Sequence, residues 1–482
     1  MPKTTKMKLI FFFLIFLNLL NCEYNPALDK KEFILMSEKE EKKVGERENL
    51  RLINQFGGIY KNQKLQNYIN SLGEFLVSTS ELSNLNFTFT IIDTPIVNAF
   101  ALPGGFIYLT RGLLAICQNE AQLAGVLAHE IGHVTARHSA KRYTKNFGVN
   151  LMSQILGALA KDRNIINVVN QSAGLYLLSY SRSQEYEADK LAVRYMKRAG
   201  FDPKEMSNFL RIMGKYSLLQ NRMRNQKKNT KSSLLSTHPS SPERVKKVIK
   251  ESELASVKNP ISGREIFLKK IDGMTFGPKK EQGFLNAGSF VHPKLGISFK
   301  LDKDFFFINS SENLVGLSAN DAKIIFDLDR NKKNNDFKSY LRSWSNRNNL
   351  NEYKEFKFND LRGATTVLNF KNQSIRFVII TKDQIFYRFV LICKENEKEN
   401  YTKKLFKILK TFKISSDFEK KDLVPNKIVV KTINESDNIT KLLQNQNLQP
   451  LYSEELFLLL NDINKKNLKV GEKIKTIKRI DY

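Results

Sequence analysis

The sequence predicts an α+β protein with a mostly helical part that carries a small β-sheet, a β-rich α+β part and a small C-terminal unit. Its 482 residues are too many for one ordinary hydrophobic core, so more than one domain is expected. Helical periodicity dominates residues 50–255, and strand-like alternation fills most of residues 265–414. A charged linker at 415–426 then precedes the last unit, residues 427–482.

Two short strands are predicted within the helical part. Residues 87–92 read Phe-Thr-Phe-Thr-Ile-Ile, an alternation typical of a half-buried strand. Pro103, Gly104 and Gly105 turn the chain, and the apolar run Phe106–Leu109 predicts a second strand. The pair forms the small sheet of this part.

Capping signals mark the helices that follow. Asn119 can cap a helix that continues past His138, and Gln122 stands three residues later as its reciprocal partner. Another helix is predicted from about Ser183 to Gly200, a residue that suits a left-handed helix stop. The polar, Lys-rich residues 221–233 predict a mobile loop.

The N-terminus has the pattern of a bacterial export signal. Basic residues up to Lys8 precede an apolar stretch at 9–20, and Leu-Leu-Asn-Cys ends at Cys22 as a lipobox-like site. Residues 1–22 are therefore predicted to be a lipoprotein signal peptide with Cys22 lipidated, and residues 23–49 a polar tether. Asn21 is unusual before the cysteine, so an uncleaved anchor and plain secretion are the alternatives. All three place the body of the protein outside the cytoplasm.

The chain is strongly basic, with 78 Lys and Arg residues against 49 Asp and Glu residues. The lysines are scattered among Asn, Ile and Phe residues, and no nucleic-acid-binding motif accompanies them. Nucleic acid is therefore not expected as a partner. Cys22, Cys117 and Cys393 are too widely spaced for a zinc ribbon or a redox pair.

The strongest chemical signal is the run His129-Glu130-Ile131-Gly132-His133. Residues four apart lie on one face of a helix, so both imidazoles can reach a single metal ion. Zinc accepts such nitrogens, and a catalytic zinc has three protein ligands and an open position. Glu130 is placed to act as general base rather than ligand. The alternative is an amphipathic helix whose histidines are ordinary core residues.

The third ligand is expected on the helix predicted from Ser183. Glu185 and Asp189 are one turn apart there, so Glu185 can bind zinc while Asp189 accepts the spare ring N–H of a ligating histidine. Glu187 lies on the opposite side of that helix and is expected to face away. The alternative is a solvated acidic helix start favoured by the helix dipole.

These motifs resemble the HtpX and BepA-like family of bacterial zinc metallopeptidases, over about residues 35–250. The resemblance rests on the His-Glu-x-x-His run with its following Arg137-His138, on the Glu185-x-x-x-Asp189 pair, and on the segments 98–105 and 237–244. It implies a mostly helical, zincin-like peptidase domain with one zinc ion held by His129, His133 and Glu185.

The resemblance also implies a part for two residues further along the chain. His238 is expected to reach the metal, either to stabilise the oxyanion or as a displaceable ligand that keeps the enzyme latent. Arg244 is expected to hold a substrate carbonyl or a nearby carboxylate. Both are counted among the catalytic residues with Glu130.

The function implied is hydrolysis of peptide bonds in misfolded or stalled envelope and outer-membrane proteins. The alternative is an envelope chaperone or peptidoglycan-docked scaffold that retains the peptidase fold with little proteolysis. Residues 427–482 loosely resemble a LysM module, through Asn461-Asp462 and the run 468–474, although Ser436-Asp437 replaces the usual Gly-Asp pair. Peptidoglycan is therefore one expected partner of this unit, and a small packing domain is the other interpretation.

Overall fold

The structure, a computed structural model, describes residues 22–144, 179–223, 238 and 242–479, apart from short gaps at 256, 287, 310–312, 319, 331–335, 359, 371, 383, 415–424, 445, 447–451 and 465–467. Residues 1–21 of the signal peptide predicted at 1–22 lie outside the described residues. So do most of the loop predicted at 221–233 and most of the linker predicted at 415–426. Among the helices of the described part, none is long and apolar enough to cross a membrane.

The chain is α+β, as the sequence predicts, and its first part is mostly helical. Its elements in chain order are β1 Cys22–Asn25, β2 Lys30–Phe33, α1 Glu38–Gln55, α2 Gln63–Ser78, β3 Thr88–Ile92, β4 Ala99–Leu102, β5 Phe106–Thr110, α3 Arg111–Ile116, α4 Glu120–Thr135, α5 Arg182–Arg198, α6 Lys204–Met223, α7 Pro242–Leu254 and α8 Arg264–Ile271. Strands β3 and β5 are parallel, and β4 pairs antiparallel with β5, which gives the order β3-β5-β4.

Helix α4 is the centre of this part, because every residue from Ala121 to Thr135 is buried. The Asn119 side chain caps it by accepting the N–H of Gln122, at 2.8 Å. The helix ends at Thr135, so the prediction that it continues past His138 is wrong. Arg137 has a φ of 54°, a left-handed conformation that α-helix does not permit, and helical backbone resumes only at 138–144.

Residues 23–49 differ from the tether that the sequence predicts. Strands β1 and β2 form a hairpin there, and α1 begins at a Ser37–Glu40 capping box. The physical reason is Arg137, which is only 6% exposed and binds the Glu23 and Glu41 carboxylates. A buried guanidinium needs such partners, and the charged residues of this segment supply them.

The β-rich part is built on an antiparallel sheet of order β10-β11-β12-β16-β15-β14-β13. A smaller sheet, β17-β9-β8-β7, lies against it through a shared aromatic core that includes Phe299, Phe326, Phe389 and Phe412. The elements are β6 Thr275–Phe276, a 3-10 turn at Lys280–Gln282, β7 Phe284–Asn286, β8 Ser289–His292, β9 Ile297–Lys300, β10 Phe305–Asn309, β11 Leu314–Ser318, β12 Lys323–Arg330, α9 Phe337–Ser345, β13 Asn351–Phe358, β14 Leu361–Phe370, β15 Gln373–Lys382, β16 Ile385–Lys394, a 3-10 turn at Glu395–Glu397, α10 Lys398–Lys410 and β17 Lys413–Ile414.

The C-terminal unit packs directly on the helical part. Its order is strand, helix, helix, strand: β18 Asn426–Thr432, α11 Ile439–Gln444, α12 Ser453–Asn461 and β19 Lys473–Arg479. Strand β18 pairs with β19 and also with β6. Ile428, Leu460 and Ile477 belong to the same apolar cluster as the residues around α4, so the two regions share one core.

Candidate metal centre

Four metal-ligating side chains from three segments meet in the interior beside α4. His129 and His133 come from α4, Glu185 from the first turn of α5, and His238 precedes α7. One ligand atom from each lies within 4.8 Å of the others, and all four side chains are buried. Glu130, Asp189 and Arg244 contact this group, so the structure brings together all seven site residues that the sequence predicts.

Gly132 allows the two helices to approach closely enough for this. A Cβ on Gly132 would lie 3.0 Å from the Ala188 carbonyl oxygen and 3.3 Å from its Cα. Since real side chains rarely tolerate such contacts with backbone, a larger residue would push α5 away and carry Glu185 with it.

The donor separations fit a zinc ion. His129 Nε2 lies 3.0 Å from His133 Nε2 and 3.2 Å from His238 Nδ1. The carboxylate of Glu185 lies 3.6 Å from each α4 imidazole and 3.0 Å from His238 Nδ1. Ligand atoms about 2.0–2.1 Å from a tetrahedral zinc are about 3.3 Å apart. The nitrogen-rich donor set, with one carboxylate, is also the set that zinc prefers.

His129 Nδ1, the ring nitrogen that points away from the other donors, contacts the buried carboxylate of Asp189. His129 Nδ1 lies 2.9 Å from Asp189 Oδ1, and Arg244 donates two hydrogen bonds to Asp189, at 2.6 and 2.7 Å. Arg244 also lies 2.5 Å from the Glu185 carboxylate. Burial alone would raise the pKa of Asp189, but Arg244 and His129 hold it far below its usual value. Arg244 thus contacts two carboxylates, one of the two placements that the sequence leaves open.

His133 Nδ1, the ring nitrogen on the far side from the other donors, contacts a series of side chains that the sequence did not predict. His133 Nδ1 lies 2.8 Å from His138 Nδ1, and His138 Nε2 lies 3.1 Å from Glu187 Oε2. Lys30 donates to the other Glu187 oxygen at 2.7 Å. Glu187 was expected to face away from Glu185 and Asp189, yet it is part of the surroundings of the site through His138.

The pKa values of His138 and Glu187 are shifted by burial and by the hydrogen bond between them. Burial lowers the pKa of His138 to about 4, so the ring is neutral at pH 7. The hydrogen bond with His138 lowers the pKa of Glu187 to about 2, so the carboxylate is ionised. The one sequence signal for this contact is that three of the five histidines lie within ten residues.

Glu130 lies beside the donor set with its side chain buried. Its Oε1 is 3.5 Å from His238 Nε2, and burial raises its pKa. A carboxylate held in this way is suited to accept a proton and to return it.

An apolar pocket opens next to Glu130. Its walls come from one face of α4 and one face of α6, and it is bordered by His129, His238 and Arg244; the apolar lining is Val126, Met206, Phe209, Leu210 and Met213. Glu130, His129 and His238 therefore line this pocket, as expected if it binds an apolar side chain of a ligand.

Comparison with known proteins identifies the segment that holds these groups. Residues 63–252 match the model of peptidase family M48. The chain is 35% identical over 162 residues to the beta-barrel assembly-enhancing protease of Yersinia pestis, covering 32% of this chain and 33% of that protein. It is 37% identical over 155 residues to the protein of the same name from Escherichia coli K12, covering 30% and 32%.

A third relative matches over a longer stretch. The mitochondrial metalloendopeptidase OMA1 of Schizosaccharomyces pombe is 28% identical over 242 residues, which cover 50% of this chain and 69% of that protein. The chain spans about a third of the length of the two bacterial relatives. The match includes α4, α5 and α7, the elements that contribute the buried donors, so the part of the chain that holds the candidate metal centre is the part that is similar to peptidase family M48 and to the beta-barrel assembly-enhancing proteases.

Proposed function

We propose that this protein is a zinc-dependent endopeptidase of the bacterial cell envelope that cleaves misfolded or stalled envelope and outer-membrane proteins. The observation that carries the proposal is the buried set His129, His133, Glu185 and His238 with Glu130 beside it. The bacterial relatives are named for enhancing β-barrel assembly, which supports outer-membrane proteins as the substrate class.

In this proposal each residue has a separate role. His129, His133 and Glu185 hold the zinc ion, and Asp189 fixes the ring of His129. Bound zinc supplies Lewis acidity, which lowers the pKa of water and polarises the scissile carbonyl. Glu130 accepts the proton of the attacking water and passes it to the leaving amine. Arg244 positions Asp189 and Glu185 by its hydrogen bonds and its charge.

His238 is proposed to act as a displaceable fourth ligand. Its Nδ1 lies among the donor atoms, so it would take the coordination position that a catalytic zinc site otherwise leaves for water. Peptide hydrolysis therefore requires His238 to move away from the donor set. After displacement its imidazole is proposed to serve as the oxyanion donor, the other role that the sequence leaves open.

The edge strand β4 is proposed to bind the substrate backbone. Among the described strands β4 pairs only with β5, and it packs against α4. An extended peptide added to this edge would be held by main-chain hydrogen bonds, which carry little sequence preference. Unfolded segments of many proteins would then be accepted, and one strict cleavage sequence in a peptide scan would contradict this step.

The central test is zinc-dependent cleavage of casein and of an unfolded outer-membrane protein. Glu130→Gln is expected to reduce kcat by about 10²–10⁴-fold, because it removes the base while leaving the zinc donors in place. Its zinc content is expected to equal that of the wild type. The exposed Glu253→Gln in α7 serves as the matched control and is expected to cleave normally.

His238→Ala separates the peptidase from the alternative scaffold. If His238 blocks the open position, the variant is expected to cleave faster than the wild type at equal zinc content. If zinc-loaded wild type and His238→Ala both fail to cleave, the chaperone or scaffold is the better function. Full activity in Glu130→Gln would contradict the proposed mechanism.

Two further proposals concern location and partners. Residues 1–22 are proposed to export the chain and to anchor it by lipidated Cys22, which membrane fractionation of wild type against Cys22→Ala would test. The C-terminal unit is proposed to bind peptidoglycan, supported by its strand-helix-helix-strand order. Co-sedimentation of the full chain with purified peptidoglycan, with and without substitutions in that unit, would test it.

A further inference from the structure

The β1–β2 hairpin has two faces of different character. Neighbouring residues of a strand point to opposite faces, and the register pairs Cys22 with Phe33 and Tyr24 with Lys31. Tyr24, Lys31 and Phe33 therefore share one face, which we call the outer face. Tyr24 is 54% exposed and Phe33 is 39% exposed, and Lys31 is exposed as well.

The inner face of the same hairpin is tied to the metal site. Asn25 donates to the carbonyl of Thr135, the last residue of α4, at 3.2 Å. Glu23 pairs with Arg137, and Lys30 binds Glu187, which in turn contacts His138. These contacts hold the hairpin against the domain from its inner face, while the outer face stays exposed and Tyr24 donates a hydrogen bond to Asp29 at its edge, at 2.6 Å.

The chemistry of the outer face fits the interface of a lipid bilayer. Tyrosine and other aromatic rings are favoured at the level of the lipid headgroups, and a lysine beside them attracts anionic lipid while its stem packs on apolar surface. Leu35, which is 36% exposed, extends the apolar surface just beyond the strand.

The sequence before β1 indicates that a membrane covers the outer face. The apolar residues 9–20 and the lipobox-like site end at Cys22, which is also the first residue of β1. Whether the anchor is an acylated Cys22 or an uncleaved apolar segment, the bilayer is reached at the beginning of the outer face. At about 3.3 Å per residue along a strand, Tyr24 lies about 7 Å from the anchored position. No tether separates the anchor from the folded domain.

We propose that the outer face, formed by Tyr24, Lys31 and Phe33, lies on the bilayer surface and holds the metal centre at a fixed, short distance from the membrane. The proposal rests on the membrane anchoring proposed above and not on the proteolytic activity. Substrates would then be cleaved beside the membrane, because the inner face of the hairpin is hydrogen-bonded to the end of α4, the helix that carries His129 and His133.

The test uses the full chain on lipid vesicles and an indole introduced at single positions. Tyr24→Trp and Phe33→Trp probe the outer face, and Phe370→Trp is the matched control because Phe370 is equally exposed, at 54%, on strand β14 of the β-rich part. Trp344, the only tryptophan of the chain, stays in place and gives the baseline. Vesicles of phosphatidylcholine and phosphatidylglycerol carry bromine atoms on their acyl chains as quenchers.

The indoles at positions 24 and 33 are expected to be quenched by brominated lipid and to emit at shorter wavelength, and the indole at position 370 is not. Lys31→Glu is expected to weaken the effect on anionic vesicles and to leave it unchanged on pure phosphatidylcholine. Chains that bind vesicles with all three indoles equally unquenched would overturn the proposal, as would chains that do not bind vesicles at all.

Casein cleavage by the same variants in detergent separates this proposal from the proposed function. Tyr24 and Phe33 lie outside the metal site, so cleavage is expected at the rate of the wild type. Quenching without zinc-dependent cleavage in the wild type would contradict the peptidase function and leave the membrane face standing.

Discussion

Two regions of this molecule bury charge, and they do so by different means. Around the metal centre, buried Asp189 and Arg244 lie in direct contact and compensate each other. Where the C-terminal unit meets the helical part, fully buried Lys475 instead donates to two carbonyl oxygens, those of Ala115 and Cys117, at 2.8 and 2.7 Å.

Both arrangements lower the pKa of the buried group, but the effects on its charge are opposite. At the metal centre Asp189 remains ionised because the opposite charge of Arg244 outweighs the cost of burial. At Lys475 burial outweighs the other influences and lowers its pKa to about 7. The Asp189–Arg244 pair therefore keeps its charges at every ordinary pH, whereas Lys475 changes charge near neutral pH.

Asp189→Asn is expected to have the largest effect, because it breaks the compensated pair. Arg244 would keep Glu185 but lose the opposite charge and at least one of its two hydrogen bonds, because an amide has a single accepting oxygen. Losing one partner of a buried pair costs roughly 3–5 kcal/mol of unfolding free energy. His129 would also lose its charged support, which lowers metal affinity by about 10–100-fold. Chemical denaturation of the zinc-free protein and competition with a chelating dye measure the two effects.

The exposed Asp360→Asn, in the turn between β13 and β14, is the control for the same chemical change. It is expected to leave both quantities unchanged. Wild-type zinc affinity in Asp189→Asn would show that the carboxylate does not support His129.

Lys475→Met is expected to remove a pH dependence that the wild type has. The unfolded chain keeps the lysine proton up to pH 10.5 and the folded chain releases it at about pH 7. Between these values the unfolded state binds more protons, so the stability of the wild type rises with pH. Below about pH 7 this contribution is constant.

The slope expected for one such group is about 1.4 kcal/mol per pH unit. Denaturation of both chains between pH 7 and pH 9, followed by circular dichroism, gives the difference between them, in which other titrating groups cancel. The exposed Lys478→Met on the same strand is expected to keep the wild-type slope. Parallel curves for wild type and Lys475→Met would mean that Lys475 does not change charge.

The contrast between these regions also explains what could be predicted from the sequence. The site around His129 depends on spacing along helices, since residues four apart share a face whatever the rest of the chain does. That logic placed Glu185 and Asp189 together one turn apart on α5 as well. The α+β architecture followed in the same way from local periodicity.

The contacts that the sequence did not predict depend on partners far apart in sequence or on the backbone angle of one residue. His138 reaches His133 because Arg137 adopts a left-handed conformation and ends α4 early, which no periodicity indicates. Residues 23–49 are polar in sequence and were expected to be a tether, yet two of their carboxylates pair with Arg137. Lys475 looks like a surface lysine of an independent unit until the shared core is seen.

Glu187→Gln is expected to have the smallest effect of the three. It tests whether Glu187, being partly exposed, supports His133 through His138 less strongly than buried Asp189 supports His129. Glu187 keeps 30% of its side-chain surface exposed, so solvent screens its interaction with His138 and Lys30, and a loss of about 0.2–1 kcal/mol of unfolding free energy is expected. The loss of zinc affinity is expected to stay below the about tenfold lower end for second-sphere partners, because the neutral amide can still accept from His138. Lys30→Gln, which removes only the outermost charge, is expected to change affinity less again. If Glu187→Gln weakened zinc binding as much as Asp189→Asn, an exposed support would be as effective as a buried one, and burial would not be what distinguishes the two histidines.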